Sequence, residues 1–351
     1  MTFLLYGATG YTGKLIAEHA AAIGLKPILA GRNPDKLRPL AEKLGLEFRT
    51  FDLKSPSAID AGLRGASAVL LAAGPFSATS QPVVDACLRN GAHYLDITGE
   101  IAVFEALAAR DQEAKRANVA LLPGAGFDVV PSDCLAVHVK RRLPEAKRLR
   151  LAIGGLNEMS RGTARTMIEA LKFGTLVRRD GSLIDLPRIP QATIDFGTGP
   201  KPAIGFSWGD IATAWVSTNV GNLDVYFAVP PALARLTSWS RPFRALGATA
   251  PGQWLLKKLV GTFLREGPSP EQRERSRCVI VADAWDQAGK QVTSRLHLKN
   301  AYSLTAHTAV ELARRAAAGE IRSGFQTPAT ACGPDFVLQF EGVRREDLPG
   351  I

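Results

Sequence analysis

The sequence has few of the residues that form disulfide frameworks, metal centres or membrane spans. Its 351 residues include 4 cysteines and 5 histidines, with no C-x-x-C pair and no metal-ligand spacing. We therefore expect no disulfide framework and no metal site. No run of about 18 apolar residues occurs, so no membrane-spanning helix is expected. The chain begins on a hydrophobic strand with no room for a signal peptide, which favours a cytoplasmic protein.

Several catalytic and binding motifs are also absent. None of the 5 tyrosines is followed by lysine at the fourth position, which excludes the Tyr-x-x-x-Lys chemistry of short-chain dehydrogenases. Serine-hydrolase and metalloprotease motifs are missing too. No basic stretch is interleaved with aromatic residues, so we expect no nucleic-acid partner.

The composition is that of a globular chain with an excess of positive charge. A length of 351 residues allows two domains, each able to bury its own core. The net charge of +10 favours anionic partners. A phosphorylated cofactor, an acyl thioester on a phosphopantetheine carrier and an anionic membrane surface all satisfy this condition, and charge alone does not choose among them.

The first 32 residues carry the clearest functional pattern. A hydrophobic strand over Thr2 to Tyr6 leads into a glycine-rich turn, a helix that extends to Ile23, and a second strand over Lys26 to Ala30. This order is half of a dinucleotide-binding fold, in which the helix N-terminus binds the pyrophosphate. The alternative is a tight strand-to-helix turn without a ligand. We assign the phosphates to the turn and the start of the helix: Gly7, Thr9, Gly10, Tyr11, Thr12 and Gly13.

The end of the second strand indicates which dinucleotide binds. NAD sites usually place an acid there for the ribose hydroxyls, but this chain has Arg32 followed by Asn33. An arginine attracts a 2′-phosphate, so we predict NADP(H). The alternative for Arg32 is a solvated charge on a loop.

Further cofactor contacts are expected where the later strands end. Asp52 and Leu53 follow the third strand and would lie near the adenine, unless Asp52 caps the helix that begins near Ser55. The turn after the fourth strand would lie against the nicotinamide ribose, unless it is a simple connection. The residues assigned to these contacts are Ala73, Gly74, Pro75, Phe76 and, after the sixth strand, Gly124.

Six strands alternate with helices in the first part of the chain, which predicts an α/β fold with a Rossmann-type doubly wound parallel sheet. Later strands outnumber helices, which predicts a second α+β domain with a mixed or antiparallel sheet. Its predicted strands include 212–217, a hairpin formed by 278–285 and 291–298, and a last strand at 335–340. We expect an NADP-binding domain over 1–130, completed by about 320–351. A substrate-binding and dimerisation domain is expected over 131–320.

Residues 230–268 combine large apolar residues with arginine and lysine. This composition is typical of an amphipathic lid that binds an acyl chain or lies on a membrane surface. A helical excursion packed on its own domain or on a partner subunit is the alternative. Membrane association is therefore open at this point.

The motifs together resemble the saccharopine dehydrogenase-like oxidoreductases, in particular the branch with trans-acting enoyl reductases. The matching segments are GATGYTG (7–13), AGR (30–32), AAGPF (72–76), PVVDACLRNGAHYLDITGE (82–100), PGAGFDVVPSD (123–133), GTAR (162–165) and SGFQTPATACGPDFVLQF (323–340). The resemblance implies a Rossmann domain completed by C-terminal residues, NADP(H), and a second domain for substrate and dimer contacts. Relatives often carry Tyr-Gly soon after GPF, whereas this chain has Ser77-Ala78-Thr79-Ser80.

The proton donor and the substrate are less defined. Tyr94, Asp96 and Asp128 are catalytic candidates near strand ends, although such aspartates often cap helices. Arg161 and Arg165 would bind a substrate carboxylate or phosphate, or else are surface residues. The first hypothesis is NADPH-dependent reduction of an enoyl thioester by a homodimer. The second is a saccharopine-type C–N oxidoreductase, and the third is a non-catalytic dinucleotide-binding protein at lipid surfaces.

Overall fold

The computed structural model describes residues 2–156, 175–237 and 267–350, together with the single positions 249, 252, 254 and 258. The chain divides into two compact units. The first unit contains Met1–Val130 and Tyr302–Gly333. The second contains Pro131–Ala301 and Pro334–Ile351. Within the described residues, no helix has the length and apolar character needed to cross a bilayer.

The elements alternate regularly at first and then become mainly strands. The strands are β1 Phe3–Tyr6, β2 Ile28–Gly31, β3 Phe48–Thr50, β4 Ala68–Leu71, β5 His93–Asp96, β6 Ala120–Leu122, β7 Arg148–Gly154, β8 Thr175–Arg179, β9 Ser182–Leu186, β10 Gln191–Asp195, β11 Pro200–Gly205, β12 Asn222–Ala228, β13 Cys278–Trp285, β14 Gln291–Leu298, β15 Gly324–Phe325 and β16 Arg344–Asp347. The described helices are α1 Tyr11–Ala22, α2 Pro34–Leu44, α3 Pro56–Leu63, α4 Phe76–Asn90, α5 Ile101–Ala108, α6 Asp111–Arg116, α7 Val130–Arg142, α8 Asp210–Thr218, α9 Pro231–Thr237, α10 Pro270–Arg275, α11 Ala301–Ala317 and α12 Pro328–Cys332.

The first unit is built on a parallel sheet of 7 strands in the order β15-β6-β5-β4-β1-β2-β3. All its strand pairs are parallel. Strands β1, β2 and β4 are buried along their whole length, as expected for strands covered on both faces. The chain leaves β1 toward β2 on one side, whereas β4 occupies the other side. The strand order therefore reverses at β1, and this is where such sheets bind ligands.

The second unit contains a mixed sheet. Its main path runs β10-β11-β12-β7-β13-β14-β16, and β8 and β9 join through β12. Strands β12 and β7 are parallel, whereas the other pairs are antiparallel. The predicted hairpin is confirmed, because β13 and β14 pair from Cys278 opposite Leu298 to Trp285 opposite Gln291. The predicted fold class is confirmed for both units.

Two predicted strands are wrong. Residues 212–217 belong to α8, in which Ile211, Ala212 and Ala214 are buried. Residues 335–340 contain a turn of 3-10 helix, Phe336–Gln339, and the last strand is β16 instead. Both runs are short and apolar, and such runs do not distinguish a strand from a buried helical segment. Strands β8 and β10 were not predicted at all.

The chain also returns to the first unit earlier than predicted. Residues 302–333 complete that unit, whereas 334–351 join the second unit and not, as expected, the first. Helix α11 explains the return, because its threonines bind the segment after β6. The Phe127 amide donates to Thr305 Oγ1 over 2.9 Å, and Thr308 Oγ1 donates to the Ala125 carbonyl over 2.8 Å. Strand β16, in contrast, pairs with β14.

Candidate functional site

The turn between β1 and α1 is closed by glycines that pack against their neighbours. Gly7 has a φ of 89°, and its amide donates to the Ala30 carbonyl over 2.9 Å. A Cβ on Gly7 would lie 2.8 Å from the Ala72 carbonyl carbon, so the turn touches the end of β4. A Cβ on Gly13 would lie only 2.2 Å from the Gly7 oxygen. Both positions require glycine for the fold itself.

Gly10 differs from these two glycines because its open side faces solvent. Gly10 is exposed and is the N-cap of α1, and no described side chain caps this helix. A Cβ on Gly10 would approach only the Gly7 oxygen, at 3.4 Å. Apart from its chain neighbours, no other described atom lies within 4 Å of that Cβ position, and the N-terminal turn of a helix attracts phosphates. We call this open turn the phosphate cradle. This cradle fits the pyrophosphate of a dinucleotide.

Of the residues beside the cradle, the two threonines are open to solvent in part, whereas the tyrosine packs on another helix. Thr9 and Thr12 are partly exposed at the turn. The ring of Tyr11 packs edge-on against the ring of Tyr302 in α11, with a centroid distance of 5.3 Å. The Tyr11 ring thus packs on helix α11 of the same unit, and this contact was not predicted.

The tip of β2 presents one free cation. Arg32 is exposed and makes no hydrogen bond or ion pair with any described residue. The Asn33 side-chain oxygen caps α2, accepting from the Asp35 amide over 2.9 Å and from the Lys36 amide over 3.3 Å. Arg32 rather than Asn33 is therefore the group available to a 2′-phosphate.

The end of β3 lies close to Tyr6 of β1. The Tyr6 hydroxyl donates to the Phe51 carbonyl over 3.0 Å, and the two rings are 5.1 Å apart. Asp52 is exposed and accepts from the Lys54 amide over 2.9 Å. The cap of α3 is Ser55, so Asp52 does not fill that alternative role. Leu53 is partly buried against the core and offers less to a ligand.

The turn after β4 projects from the sheet edge next to the glycine turn. Gly74 and Pro75 are exposed, whereas Ala73 and Phe76 pack partly on the core. Helix α4 begins at Phe76, directly after this turn. The first two amides of α4 donate to the carboxylate of Glu100, a residue that was not predicted from the sequence to belong to the site.

Tyr94 and Asp96 lie inside the unit and do not reach its surface. Both side chains are fully buried, and the Tyr94 hydroxyl donates to Asp96 Oδ2 over 2.7 Å. Asp96 Oδ1 accepts from the amides of Thr98, over 3.0 Å, and Gly124, over 2.9 Å. Burial raises the pKa of Asp96 to about 6. This geometry makes Tyr94 and Asp96 a link between the ends of β5 and β6, so we do not assign them to proton transfer.

Gly124 belongs to the same internal link. It is buried with a φ of 75°, and a Cβ there would lie 2.8 Å from Val129. Its amide is committed to Asp96. A direct cofactor contact, as assigned from the sequence, is therefore not supported by its position.

Asp128 is the catalytic candidate that remains accessible. Asp128 as a residue is partly exposed in the segment after β6. A Cβ on Gly99 would lie 3.1 Å from Asp128 Oδ2, so the carboxyl group lies against Gly99 in the segment after β5. Burial raises the pKa of this carboxyl group to about 7. A carboxyl group with this pKa is partly protonated at neutral pH, as a general acid requires.

The predicted substrate residues lie outside the described residues. Arg161 and Arg165 fall within 157–174. The apolar-basic stretch at 230–268 is described only in part.

Comparison with known proteins identifies the N-terminal part of the chain. Residues 3–122 match the family model of the saccharopine dehydrogenase NADP binding domain. The trans-acting enoyl reductase of Mycobacterium leprae (strain TN) is 35% identical over 150 residues, which cover 40% of this chain and 36% of that protein. The saccharopine dehydrogenase-like oxidoreductase of Homo sapiens is 28% identical over 160 residues, covering 40% and 37%. The match thus spans little more than a third of each relative.

A solved structure extends the likeness in fold to both units. The apo histidine-tagged saccharopine dehydrogenase (L-Glu forming) from Saccharomyces cerevisiae superimposes with a TM-score of 0.66. It covers 99% of this chain and 100% of its own, at 12% sequence identity. The resemblance predicted from the motifs is confirmed. Residues 3–122 are therefore similar to the saccharopine dehydrogenase NADP binding domain, and this match supports NADP(H) as the cofactor.

Proposed function

We propose that this chain is an NADP(H)-dependent oxidoreductase that reduces the carbon–carbon double bond of an unsaturated acyl substrate. The NADP-binding domain supports the cofactor, and the relatives named trans-acting enoyl reductases support the substrate class. The observation that carries the proposal is the position of Asp128. Asp128 is a partly exposed residue, and its carboxyl group lies against Gly99 in the segment after β5.

The reaction needs one group that the cofactor does not provide. When bound, NADPH supplies a hydride, and an enoyl thioester then requires one proton at the carbon next to its carbonyl group. Asp128 donates this proton and recovers it from solvent, since this residue is partly exposed. The fully buried Asp96 holds the neighbouring strand ends and lacks such access. The chain's other contribution is to orient the substrate against the nicotinamide.

The charge distribution supports an anionic carrier for the acyl group. Counted over its full sequence, the first unit has 16 lysines and arginines and 15 aspartates and glutamates. The second unit has 27 against 18, so it carries +9 of the net charge of +10. A positive field of this kind attracts phosphate-bearing substrates. A phosphopantetheine-linked acyl chain has this chemistry, whereas a small zwitterionic amino acid gains less from it.

Oxidation of NADPH by the purified chain tests the proposal. Enoyl thioesters of several chain lengths are compared with keto acids supplied together with amines. The expected result is oxidation with enoyl thioesters alone and its loss in Asp128→Asn. Oxidation that needs a keto acid and an amine would instead identify a C–N oxidoreductase. NADPH binding without turnover on either panel would identify a non-catalytic protein.

A further inference from the structure

Helix α4 begins without a cap from its own sequence. Its N-cap is Pro75, which has no side-chain acceptor for the first amides. Glu100, from the segment after β5, provides both acceptors. Glu100 Oε1 accepts from the Phe76 amide and Oε2 from the Ser77 amide, each over 2.8 Å. A carboxylate at a helix N-terminus is also favoured by the helix dipole.

The position of Glu100 is itself fixed from inside the unit. Its amide donates to Thr98 Oγ1 over 3.0 Å, and Thr98 is fully buried. The Thr98 amide in turn donates to Asp96 Oδ1 over 3.0 Å. A continuous series of hydrogen bonds therefore leads from the buried Asp96 to the exposed turn before α4.

The same turn is held from its other side. Thr79 Oγ1 donates to the Ala73 carbonyl over 2.6 Å and contacts the Pro75 carbonyl at 3.1 Å. The end of β4 touches the glycine turn, because a Cβ on Gly7 would lie 2.9 Å from the Ala73 Cβ. Movement of the turn would therefore alter its distance from the phosphate cradle.

The strand order indicates which half of the cofactor meets this turn. The cradle follows β1, and Arg32 follows β2 on one side of it. The adenosine ribose with its 2′-phosphate lies on that side. Strand β4 is on the opposite side of β1, so the turn at Gly74 and Pro75 faces the other half of the dinucleotide.

We propose that Glu100 is a positioning residue for the nicotinamide half of NADP(H). By binding the first two amides of α4, it holds the Gly74–Pro75 turn at a fixed distance from the glycine turn. It also occupies the helix terminus that would otherwise attract a cofactor phosphate. The pyrophosphate is thereby directed to α1. This inference depends on cofactor binding and not on the proposed enoyl reaction.

Two ligands separate this role from a general structural one. NADPH spans both halves of the site, whereas adenosine 2′,5′-bisphosphate fills only the adenosine half. Dissociation constants for both are measured by titration with the wild-type chain, Glu100→Ala and Glu100→Gln. We expect Glu100→Ala to weaken NADPH binding about tenfold, equivalent to the loss of one helix cap. Binding of the bisphosphate should stay within about twofold.

A matched charge-removing variant and a measurement of amide exchange serve as controls. Glu113→Gln removes a similar charge from α6, where Glu113 pairs with Arg110 over 2.7 Å, and should change neither constant. Amide exchange at Phe76 and Ser77 should accelerate in Glu100→Ala. If that variant does not fold, Glu100→Gln retains one acceptor and should show a smaller but still selective loss. Equal weakening of both ligands, or no change in either, would overturn the proposal, and neither outcome depends on turnover.

Discussion

The hydroxyl of Tyr94 donates to Asp96 Oδ2 over 2.7 Å, and neither side chain is accessible to solvent. Asp96 Oδ1 accepts two backbone amides, from Thr98 and Gly124. Three donors thus converge on one carboxylate in the interior. The pair joins two adjacent strand ends, and this gives it a testable effect on stability.

Asp96→Asn should preserve this network. The asparagine oxygen can accept both amides, and its NH₂ group can donate to the Tyr94 oxygen. Asp96→Ala, in contrast, leaves buried donors without an acceptor and should lower the free energy of unfolding by about 3 kcal/mol. Thermal unfolding of both variants checks this prediction. If Asp96→Asn were as unstable as Asp96→Ala, the charge itself would be essential.

The pH dependence of stability should distinguish Asp96→Asn from the wild type. Burial raises the pKa of Asp96 to about 6, above its value in an unfolded chain. The stabilising effect of the protonated form is therefore complete below the unfolded pKa and is lost as pH rises through about 6. Between pH 4.5 and pH 7, Asn should gain about 2 kcal/mol relative to Asp. Denaturation at the two pH values measures the difference, and a constant difference would contradict the raised pKa.

Gly10 and Gly13 should respond to alanine differently. At Gly13 the new Cβ would lie 2.2 Å from the Gly7 oxygen, so Gly13→Ala should destabilise the chain by about 1–3 kcal/mol. Gly10 has a φ of −72° and open space, so Gly10→Ala meets no clash and should cost only about 0.5–1 kcal/mol, because alanine is a poorer N-cap than glycine.

The same Gly10→Ala variant should bind NADPH at least about tenfold more weakly, because its methyl group enters the phosphate cradle. Titration and thermal unfolding on the two variants measure both effects. Unchanged NADPH affinity in a folded Gly10→Ala chain would show that the pyrophosphate lies elsewhere.

Arg32 should decide the preference between the two dinucleotides. Its guanidinium is exposed and makes no ion pair with the described residues, so it is available to a 2′-phosphate. Arg32→Glu should weaken NADPH binding about 30-fold, because a charge-assisted contact becomes a repulsion. NADH binding should change little. Arg38→Glu is a matched control on α2, where Arg38 lies 5.5 Å from the Phe48 ring. Equal losses for the two dinucleotides would exclude this role for Arg32.

Asp128 should set the upper pH limit of turnover. Only the protonated carboxyl group can donate, and its pKa is raised to about 7 by burial. The rate should therefore fall as pH rises through about 7. Asp128→Asn should lower the rate by a factor of about 100 or more without changing NADPH affinity. A wild-type pH profile retained by Asp128→Asn would assign the proton to another group.

Short sequence patterns were sufficient to predict the elements that form between residues close together in the chain. The glycine turn, the buried parallel strands and the hairpin around Asp286 follow from spacing within a few residues. Residues 212–217 were wrongly assigned to a strand, because a short run of this composition fits either a strand or the short helix α8.

The site required information that no local pattern contains. Glu100 caps a helix that begins 24 residues earlier in the sequence, so no capping motif is visible. Thr305 binds an amide 178 residues away. Tyr94 and Asp96 lie two residues apart in a predicted strand. That both side chains are fully buried became visible only in the structure. The same burial removed them from the catalytic candidates and left Asp128.

The most direct test of the account follows a hydride from cofactor to product. NADPH carrying deuterium at the transferred position of the nicotinamide ring is incubated with the chain and an enoyl thioester in ordinary water, and the product is analysed by mass spectrometry. We expect a saturated thioester with one deuterium at the carbon beyond the one next to the carbonyl group. A product without deuterium, or no saturated product while NADPH is bound, would contradict it.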